Sequence, residues 1–374
     1  MGYSRRSFLR LGTSAGATLA TSAALGTSVA SSATAGQSSP GQLELTFAGY
    51  GYDHVKALID GRVQIEGCTA QYQPGKISDL NTHVFSGPQT LQVTEIGLIP
   101  YILAYANDDF RDYSLIPVFP LRTFRHKSVF VHADRGINRP EDLKGRRVGT
   151  PGYSSSSLTW IRGMMSDEYG VKPEDIEWVL SAEDSSANAG GAASAQENVL
   201  PEGVSITVGP PGKDESDLLL DGDVDALFHA IEPRAFIEGN PDVKRLFDDP
   251  RATERRYFEK TGIFPIMHAV AIRNDVIDAN PWLPAAVFSA YSRSKQMEYE
   301  AMQMGWLFRT LPWYGQELAE TRAVMGANFW PYGIEANRKT LNALFQYSYD
   351  QGLAKKKLRV EDLFHPATLG LAES

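Results

Sequence analysis

Short apolar strands alternate with amphipathic helices over most of the chain. Alternating apolar and polar positions predict strands over residues 43–47 and 68–72, and helical spacing of apolar positions predicts a helix over residues 77–85. A buried apolar stretch follows at residues 95–105. This succession of strand and helix indicates α/β units built on mostly parallel sheets.

The middle of the chain carries a second α/β region, and the C-terminal part is helical. Residues 115–132 lead into this region, and an apolar strand over residues 264–273 leads back out of it. Two α/β lobes joined by two crossing segments form a hinged fold with a cleft, closed here by C-terminal helices. The expected boundaries are residues 43–123 together with 269–374 for lobe one, and residues 124–268 for lobe two.

The N-terminus has the pattern of a twin-arginine export signal. Arg5 and Arg6 precede Phe8 and Leu9, and a weakly hydrophobic run rich in Ala, Gly, Ser and Thr follows, with a small-residue cleavage site at residues 33–35. That run is too polar for a membrane anchor. We therefore expect a signal peptide at residues 1–35, a linker at 36–42, and a soluble mature protein in the periplasm or outside the cell, with no stable membrane insertion.

Charge and cysteine content exclude several classes of function. The formal net charge is -9 at pH 7, and no basic patch is evident, which argues against nucleic acid as a partner. Cys68 is the single cysteine, so no intramolecular disulfide or thiolate metal cluster can form. The chain has no phosphate-binding loop, dinucleotide fingerprint or His-Glu-x-x-His motif. No cofactor or metal site is predicted, although a divalent metal held by dispersed residues stays open.

Residues 144–165 combine a short strand, a tight turn and the start of a helix. Four serines at residues 154–157 offer capping hydroxyls ahead of an apolar helical stripe. Such a helix start presents unpaired N–H groups and the positive end of the helix dipole, which suits a carboxylate. A polar cap exposed to water is the alternative. The candidate ligand-binding residues here are Thr150, Tyr153, Ser154, Ser155 and Ser156.

Further polar residues fall where the cleft is expected. Arginine can hold a carboxylate through two parallel hydrogen bonds, histidine can donate or transfer a proton, and tyrosine can stack on an aromatic ring. A histidine on a crossing segment can also simply be hydrogen-bonded inside the hinge. The candidates are Arg122, Arg125 and His126 on the outbound crossing, His268 on the return strand, Tyr52 after the first strand, and His229 and Arg234 after a strand of lobe two.

Several segments resemble the 4,5-dihydroxyphthalate decarboxylase family. They are residues 134–149, residues 160–171, residues 261–268 and the stretch that begins Phe-Trp-Pro-Tyr-Gly at residue 329. The similarity covers about residues 43–369. It implies a fold like that of type 2 periplasmic binding proteins, in agreement with the two-lobed prediction.

The resemblance implies two possible functions. Some members of the family are cytoplasmic decarboxylases of dihydroxylated phthalates, and others resemble substrate-binding proteins of transporters for aromatic or related acids. The export signal favours a solute-binding protein that captures a small, aromatic carboxylic acid and delivers it to transporter membrane subunits. The alternative is a 4,5-dihydroxyphthalate decarboxylase in which His126 or His268 is the catalytic acid. Both functions need the same anion-holding cleft.

Overall fold

The computed structural model of the protein describes residues 42–186 and 190–373. These residues form two β-sheets covered by helices. The predicted signal peptide at residues 1–35, and the predicted linker at 36–42 except Gln42, lie outside the described residues. None of the described helices is both long enough and apolar enough to cross a membrane.

The strands of the described chain follow the predicted pattern closely in the first lobe. In chain order they are β1 (Leu43–Gly49), β2 (Cys68–Pro74), β3 (Val93–Gly97), β4 (Tyr113–Ile116), β5 (Val129–His132), β6 (Arg147–Thr150), β7 (Glu177–Leu180), β8 (Ile206–Val208), β9 (Ala226–Phe228), β10 (Val243–Arg245) and β11 (His268–Arg273).

The helices of the described chain are mostly short until the C-terminal part. They are α1 (Lys56–Ile59), α2 (Ile77–Phe85), α3 (Leu98–Asn107), α4 (Ser156–Tyr169), α5 (Glu215–Leu220), α6 (Arg234–Ile237), α7 (Pro250–Thr261), α8 (Asn274–Ala279), α9 (Leu283–Met302), α10 (Gly305–Phe308), α11 (Tyr314–Met325), α12 (Arg338–Asp350) and α13 (Val360–Leu363).

The first sheet has the strand order β2-β1-β3-β11-β4. β1 is parallel to β2 and β3, whereas β11 is antiparallel to both of its neighbours, β3 and β4. All residues of β3 are buried, as expected for a strand covered on both faces. The return strand, β11, lies inside the sheet between β3 and β4 and not at its edge.

The second sheet has the order β10-β5-β9-β6-β7-β8. The strands β6 to β9 pair in parallel, and β5 is antiparallel to β9 and β10. In each described sheet one strand runs against all the others, β11 in the first and β5 in the second, so the sheets are mostly parallel in direction, as predicted. These two are the strands by which the chain arrives from a crossing segment, and each runs against the strands made by βαβ units.

The two crossing segments are hydrogen-bonded to each other. The amide of Thr123 donates to Pro265 O at 3.1 Å, and the amide of Met267 donates to Leu121 O at 2.9 Å. The indole of Trp160 on α4 donates to Ile266 O at 2.8 Å. These bonds fix the start of α4 beside the point where the chain passes between the sheets.

Helix α4 also packs tightly against the C-terminal helix α12. A Cβ atom on Gly163 would lie 2.2 Å from Cδ2 of Tyr347, so only glycine permits this approach. The Tyr347 ring also meets Trp160 edge to face, with ring centroids 5.5 Å apart. The helix that carries the serine run is therefore held against α12 by the buried ring of Tyr347.

Candidate functional site

A cavity of about 740 Å³ opens at the carboxyl ends of strands from both sheets. Its wall includes Tyr50 directly after β1, Gly97 at the end of β3, Gly152 after β6 and Ala230 after β9. Ligands of open α/β sheets bind at this edge, because strand ends and helix starts converge there. The cavity is thus the candidate site of the protein.

Glu95 on β3 is the centre of a buried polar network at the cavity. Its side chain accepts hydrogen bonds from the hydroxyl of Tyr52 at 2.7 Å and from the amide of Tyr50 at 2.9 Å. Its Oε1 lies 2.5 Å from Nδ1 of His268. A Cβ atom on Gly49 would lie 2.7 Å from Oε2, so that glycine leaves the room that the carboxylate needs.

The side chain of His268 is oriented by a hydrogen bond between one of its ring nitrogens and Glu95. A carboxylate accepts hydrogen bonds, so Nδ1–H is the donor and Nε2 is the nitrogen left for chemistry. His268 lines the cavity, and the ring of Tyr50 stacks beside it with centroids 6.3 Å apart. Burial and the Glu95 carboxylate raise the pKa of Tyr52, which therefore keeps its proton and donates to Glu95. An imidazole oriented by a buried carboxylate is suited to proton transfer.

Arg125 supplies a buried positive charge at the same cavity. One Nη donates to Ala230 O at 2.6 Å and the other donates to the hydroxyl of Ser157. Its Nε has no hydrogen-bond partner, and the guanidinium forms no ion pair in the described chain. Burial lowers the pKa of Arg125 to about 9, so it stays charged at neutral pH. The carboxylate of a ligand would neutralise this charge.

The start of α4 reaches the cavity beside Arg125. The hydroxyl of Ser155 caps the helix by accepting from the amide of Leu158 at 3.3 Å, and the hydroxyl of Ser156 accepts from the amide of Ile99 at 3.0 Å. Ser156 and Ser157 are buried, so this is not the water-exposed cap of the alternative interpretation. A helix start and a buried arginine together make one electropositive wall.

The structure brings Tyr52, Arg125, Ser155, Ser156 and His268 together around this cavity. Glu95, which orients His268, was not among the residues that the sequence nominated. It stands in the middle of the buried strand β3, between Thr94 and Ile96, and a single acidic residue inside such a strand was the available signal.

Three other residues predicted from the sequence lie near the cavity, but their side chains pack within the turn before α4. Thr150 donates from its hydroxyl to Gly152 O at 2.9 Å, and Ser154 donates to Gln196 O at 2.8 Å. Tyr153 is fully buried under Arg162 and meets Trp178 edge to face. None of the three belongs to the described wall of the cavity, and their side chains shape the turn before α4.

His126 and Arg122 point away from the cavity. His126 packs between Phe247 and Tyr257, neither of its ring nitrogens has a hydrogen-bond partner, and burial lowers its pKa to about 4. Arg122 donates to Asn337 Oδ1 and to Phe264 O, both at 2.7 Å. The structure thus places His126 in an aromatic core and Arg122 in the hinge.

Arg234 and His229 are also engaged outside the cavity wall. Arg234 forms ion pairs with Asp214 at 2.9 Å and Asp217 at 2.6 Å. His229 is fully buried behind Asp184, an acidic residue that does line the cavity. Arg234 therefore has its carboxylate partners within the protein, whereas His229 lies one residue layer behind the wall.

The chain is 36% identical over 331 residues to a 4,5-dihydroxyphthalate decarboxylase of Comamonas testosteroni, covering 88% of this chain and 98% of that relative. The chain belongs to the 4,5-dihydroxyphthalate decarboxylase family. A relative of the same name from Pseudomonas putida is 29% identical over 217 residues, with 58% and 82% coverage. Residues 113–196 match the family described as NMT1/THI5 like.

Two solved structures share the fold. The periplasmic sulfonate-binding protein SsuA of Methylobacillus flagellatus gives a TM-score of 0.53 at 15% identity, over 88% of this chain and 93% of that chain. The aliphatic sulphonate binding protein SsuA of Escherichia coli gives 0.51 at 16% identity, over 87% and 98%. These similarities confirm the predicted two-lobed fold of the periplasmic-binding-protein type.

Proposed function

We propose that the protein is a carboxy-lyase that removes a carboxyl group, without oxidation, from a dihydroxylated aromatic dicarboxylic acid bound between its lobes. The observation that carries this proposal is the Glu95–His268 pair at the cavity wall. A binding protein needs only to hold its ligand, whereas a decarboxylase must deliver a proton to the ring carbon that loses the carboxylate. The name of the relative that is 36% identical supports the same function.

Different residues around the cavity would bind the substrate and transfer the proton in such a reaction. Arg125 and the start of α4 would hold the carboxylate that is retained, which fixes the position of the ring. Protonated His268 would give its Nε2 proton to the ring carbon that bears the other carboxylate, helped by electrons from a ring hydroxyl. The carbon–carbon bond then breaks, its electron pair restores the ring, and carbon dioxide leaves. Glu95 stabilises the imidazolium before the proton is transferred and orients the ring throughout.

One titration tests this proposal. The purified protein is mixed with 4,5-dihydroxyphthalate, ligand stabilisation is followed by Tm, and turnover is followed by carbon dioxide release. We expect release by the wild type and a loss of about 10²- to 10⁴-fold in His268→Gln, with binding retained. His132→Gln, which changes a half-buried histidine at the end of β5, is the matched control. Stabilisation without carbon dioxide release in the wild type would contradict the enzyme and favour a receptor.

A second candidate function rests on the N-terminal sequence. The pair Arg5-Arg6 followed by Phe8-Leu9 is typical of a twin-arginine signal, and a protein outside the cytoplasm would be separated from cytoplasmic pathway enzymes. In that case the same cavity would capture an aromatic acid for the membrane subunits of a transporter. Fractionation of cells that produce the full chain tests the export directly, and Arg5→Lys with Arg6→Lys is the variant expected to stay inside.

A further inference from the structure

A second cluster of polar side chains lies just behind the cavity wall. Asp184 follows β7, Glu215 is the first residue of α5, and His229 follows β9. One ligand atom from each lies within 4.8 Å of the others. The side chains of Glu215 and His229 are fully buried, whereas that of Asp184 is 37% exposed and lines the cavity. The ends of β7 and β9, which lie on either side of β6 in the second sheet, and the start of α5 thus bring the three together.

The histidine presents an unshared electron pair to the two carboxylates. Its Nδ1 lies 2.6 Å from Ile231 O, and a carbonyl can only accept, so Nδ1 carries the proton. Its Nε2 is buried without a hydrogen-bond partner. A metal-binding histidine commonly donates its other ring nitrogen to a backbone carbonyl in this way, which fixes the tautomer and the orientation of the ring.

The spacing of the ligand atoms fits a shared ion better than hydrogen bonds. Nε2 of His229 lies 3.3 Å from Glu215 Oε1 and 3.6 Å from Asp184 Oδ1. Two ligands bound tetrahedrally to one ion at about 2.1 Å lie about 3.4 Å apart. Both measured separations are close to that distance and exceed the usual 2.7–3.2 Å range of an N–H···O bond.

The negative charge of the cluster also favours a bound cation. Neither carboxylate forms an ion pair with a lysine or arginine in the described chain. Glu215 accepts hydrogen bonds from the amide and hydroxyl of Ser185, and Asp184 accepts from the amide and hydroxyl of Ser186. With His229 neutral, these uncharged donors leave one fully buried and one partly exposed negative charge without a cation, and burying such charge is costly. A divalent ion would balance both.

We propose that Asp184, Glu215 and His229 bind one divalent transition-metal ion, of the Zn²⁺ or Mn²⁺ type. Imidazole nitrogen and carboxylate oxygen are ligands that both ions accept. Because Asp184 also borders the cavity, the fourth position of the ion faces water or an oxygen of a bound acid. The metal site does not depend on the decarboxylation proposed above, since binding of the ion can be measured with no substrate present.

The test is metal binding by the purified full chain after treatment with a chelator. Zn²⁺ and Mn²⁺ are titrated separately by calorimetry, and bound metal is counted by mass spectrometry after dialysis. Co²⁺ serves as a spectroscopic probe, because its visible absorption reports a nitrogen–oxygen ligand set. We expect about one bound ion per chain for at least one of Zn²⁺ and Mn²⁺, and Kd raised at least tenfold in Asp184→Asn.

Asp184 is the informative position because its partly exposed side chain can be changed without opening the core. His229→Gln removes the nitrogen ligand and is expected to abolish binding, with Tm in the absence of metal as the check of folding. Asp134→Asn, at an aspartate beyond β5 and away from the cluster, is the matched control. A wild type that binds neither ion, or an Asp184→Asn variant that binds as tightly as the control, would overturn the proposal. Either result would leave a protonated His229 paired with the two carboxylates.

Discussion

Glu95 and His268 are 173 positions apart in the chain, yet Oε1 of one lies 2.5 Å from Nδ1 of the other. The register of the first sheet explains the contact. In the antiparallel pair of β3 and β11, Glu95 stands opposite Val270, and His268 stands opposite Gly97, so the two side chains are diagonal neighbours on one face. A slip of one residue would turn His268 to the other face of the sheet.

Replacing Glu95 by Gln should lower kcat about 10²-fold while KM changes little. The amide cannot stabilise an imidazolium, but Arg125 and the start of α4 still hold the substrate. Steady-state kinetics with 4,5-dihydroxyphthalate measure both constants. Glu44→Gln, at an exposed carboxylate on β1, should behave like the wild type. An unchanged kcat in Glu95→Gln would remove that carboxylate from the mechanism.

The two buried arginines of the outbound crossing should have separable roles. Arg125→Ala removes charge-assisted hydrogen bonds from the cavity and should weaken substrate binding by about 1.5–3 kcal/mol. Arg122→Ala leaves backbone carbonyls and Asn337 in the hinge without their donor, and should lower the free energy of unfolding with little effect on affinity.

Binding is best measured by calorimetry in the His268→Gln background, where the ligand is not consumed, and stability by urea unfolding. Arg125→Lys keeps the charge but loses the planar fork, and should fall between the wild type and Arg125→Ala. If Arg122→Ala weakens binding as much as Arg125→Ala does, the assignment of the anion site to Arg125 is wrong.

His126 should make the fold sensitive to acid. Burial, with a smaller contribution from Arg256, lowers the pKa of His126 from 6.5 to about 4. Between these two values the unfolded chain binds a proton that the folded chain does not, so stability is lost as the pH falls from about 6.5 to about 4. The full loss, reached below about pH 4, is on the order of 3 kcal/mol.

His126→Phe is the variant that isolates this effect, since an aromatic ring fits beside Phe247 and Tyr257. The measurement is the free energy of unfolding in urea at pH 9, 8, 6 and 5 for both proteins. The difference between wild type and variant should be constant above pH 7 and should shift in favour of the variant on acidification. A difference that does not vary with pH would show that His126 is protonated without cost in the folded protein.

The sequence predicts the fold and the wall of the cavity formed by the start of α4. It does not predict the wall formed by Glu95 and His268 equally well. The serine run and the apolar stripe of α4 are local signals, and the helix start they predict does line the cavity. Arg125 was nominated from its place on the crossing segment, but so were Arg122 and His126. Which of the three faces the cavity depends on backbone direction within a few residues, and periodicity does not resolve that on an irregular segment.

The contacts that complete the site depend on strand pairing between distant parts of the chain. Glu95 contacts His268 only when β11 inserts between β3 and β4, and that placement follows from tertiary packing. The same holds for Asp184, Glu215 and His229, whose spacing along the chain resembles no local metal motif. Residues that act together through a sheet register are invisible to a search for short patterns.

The position of β11 between β3 and β4 also determines when the contact between Glu95 and His268 can form. During synthesis, β1 to β4 emerge first, but β3 and β4 have no strand between them until residue 273 has been made. The whole second sheet is translated in that interval. Until β11 is made, the edges of β3 and β4 that will pair with it have no partner strand. A chain interrupted before β11 contains Glu95 but lacks His268, the histidine that Glu95 orients.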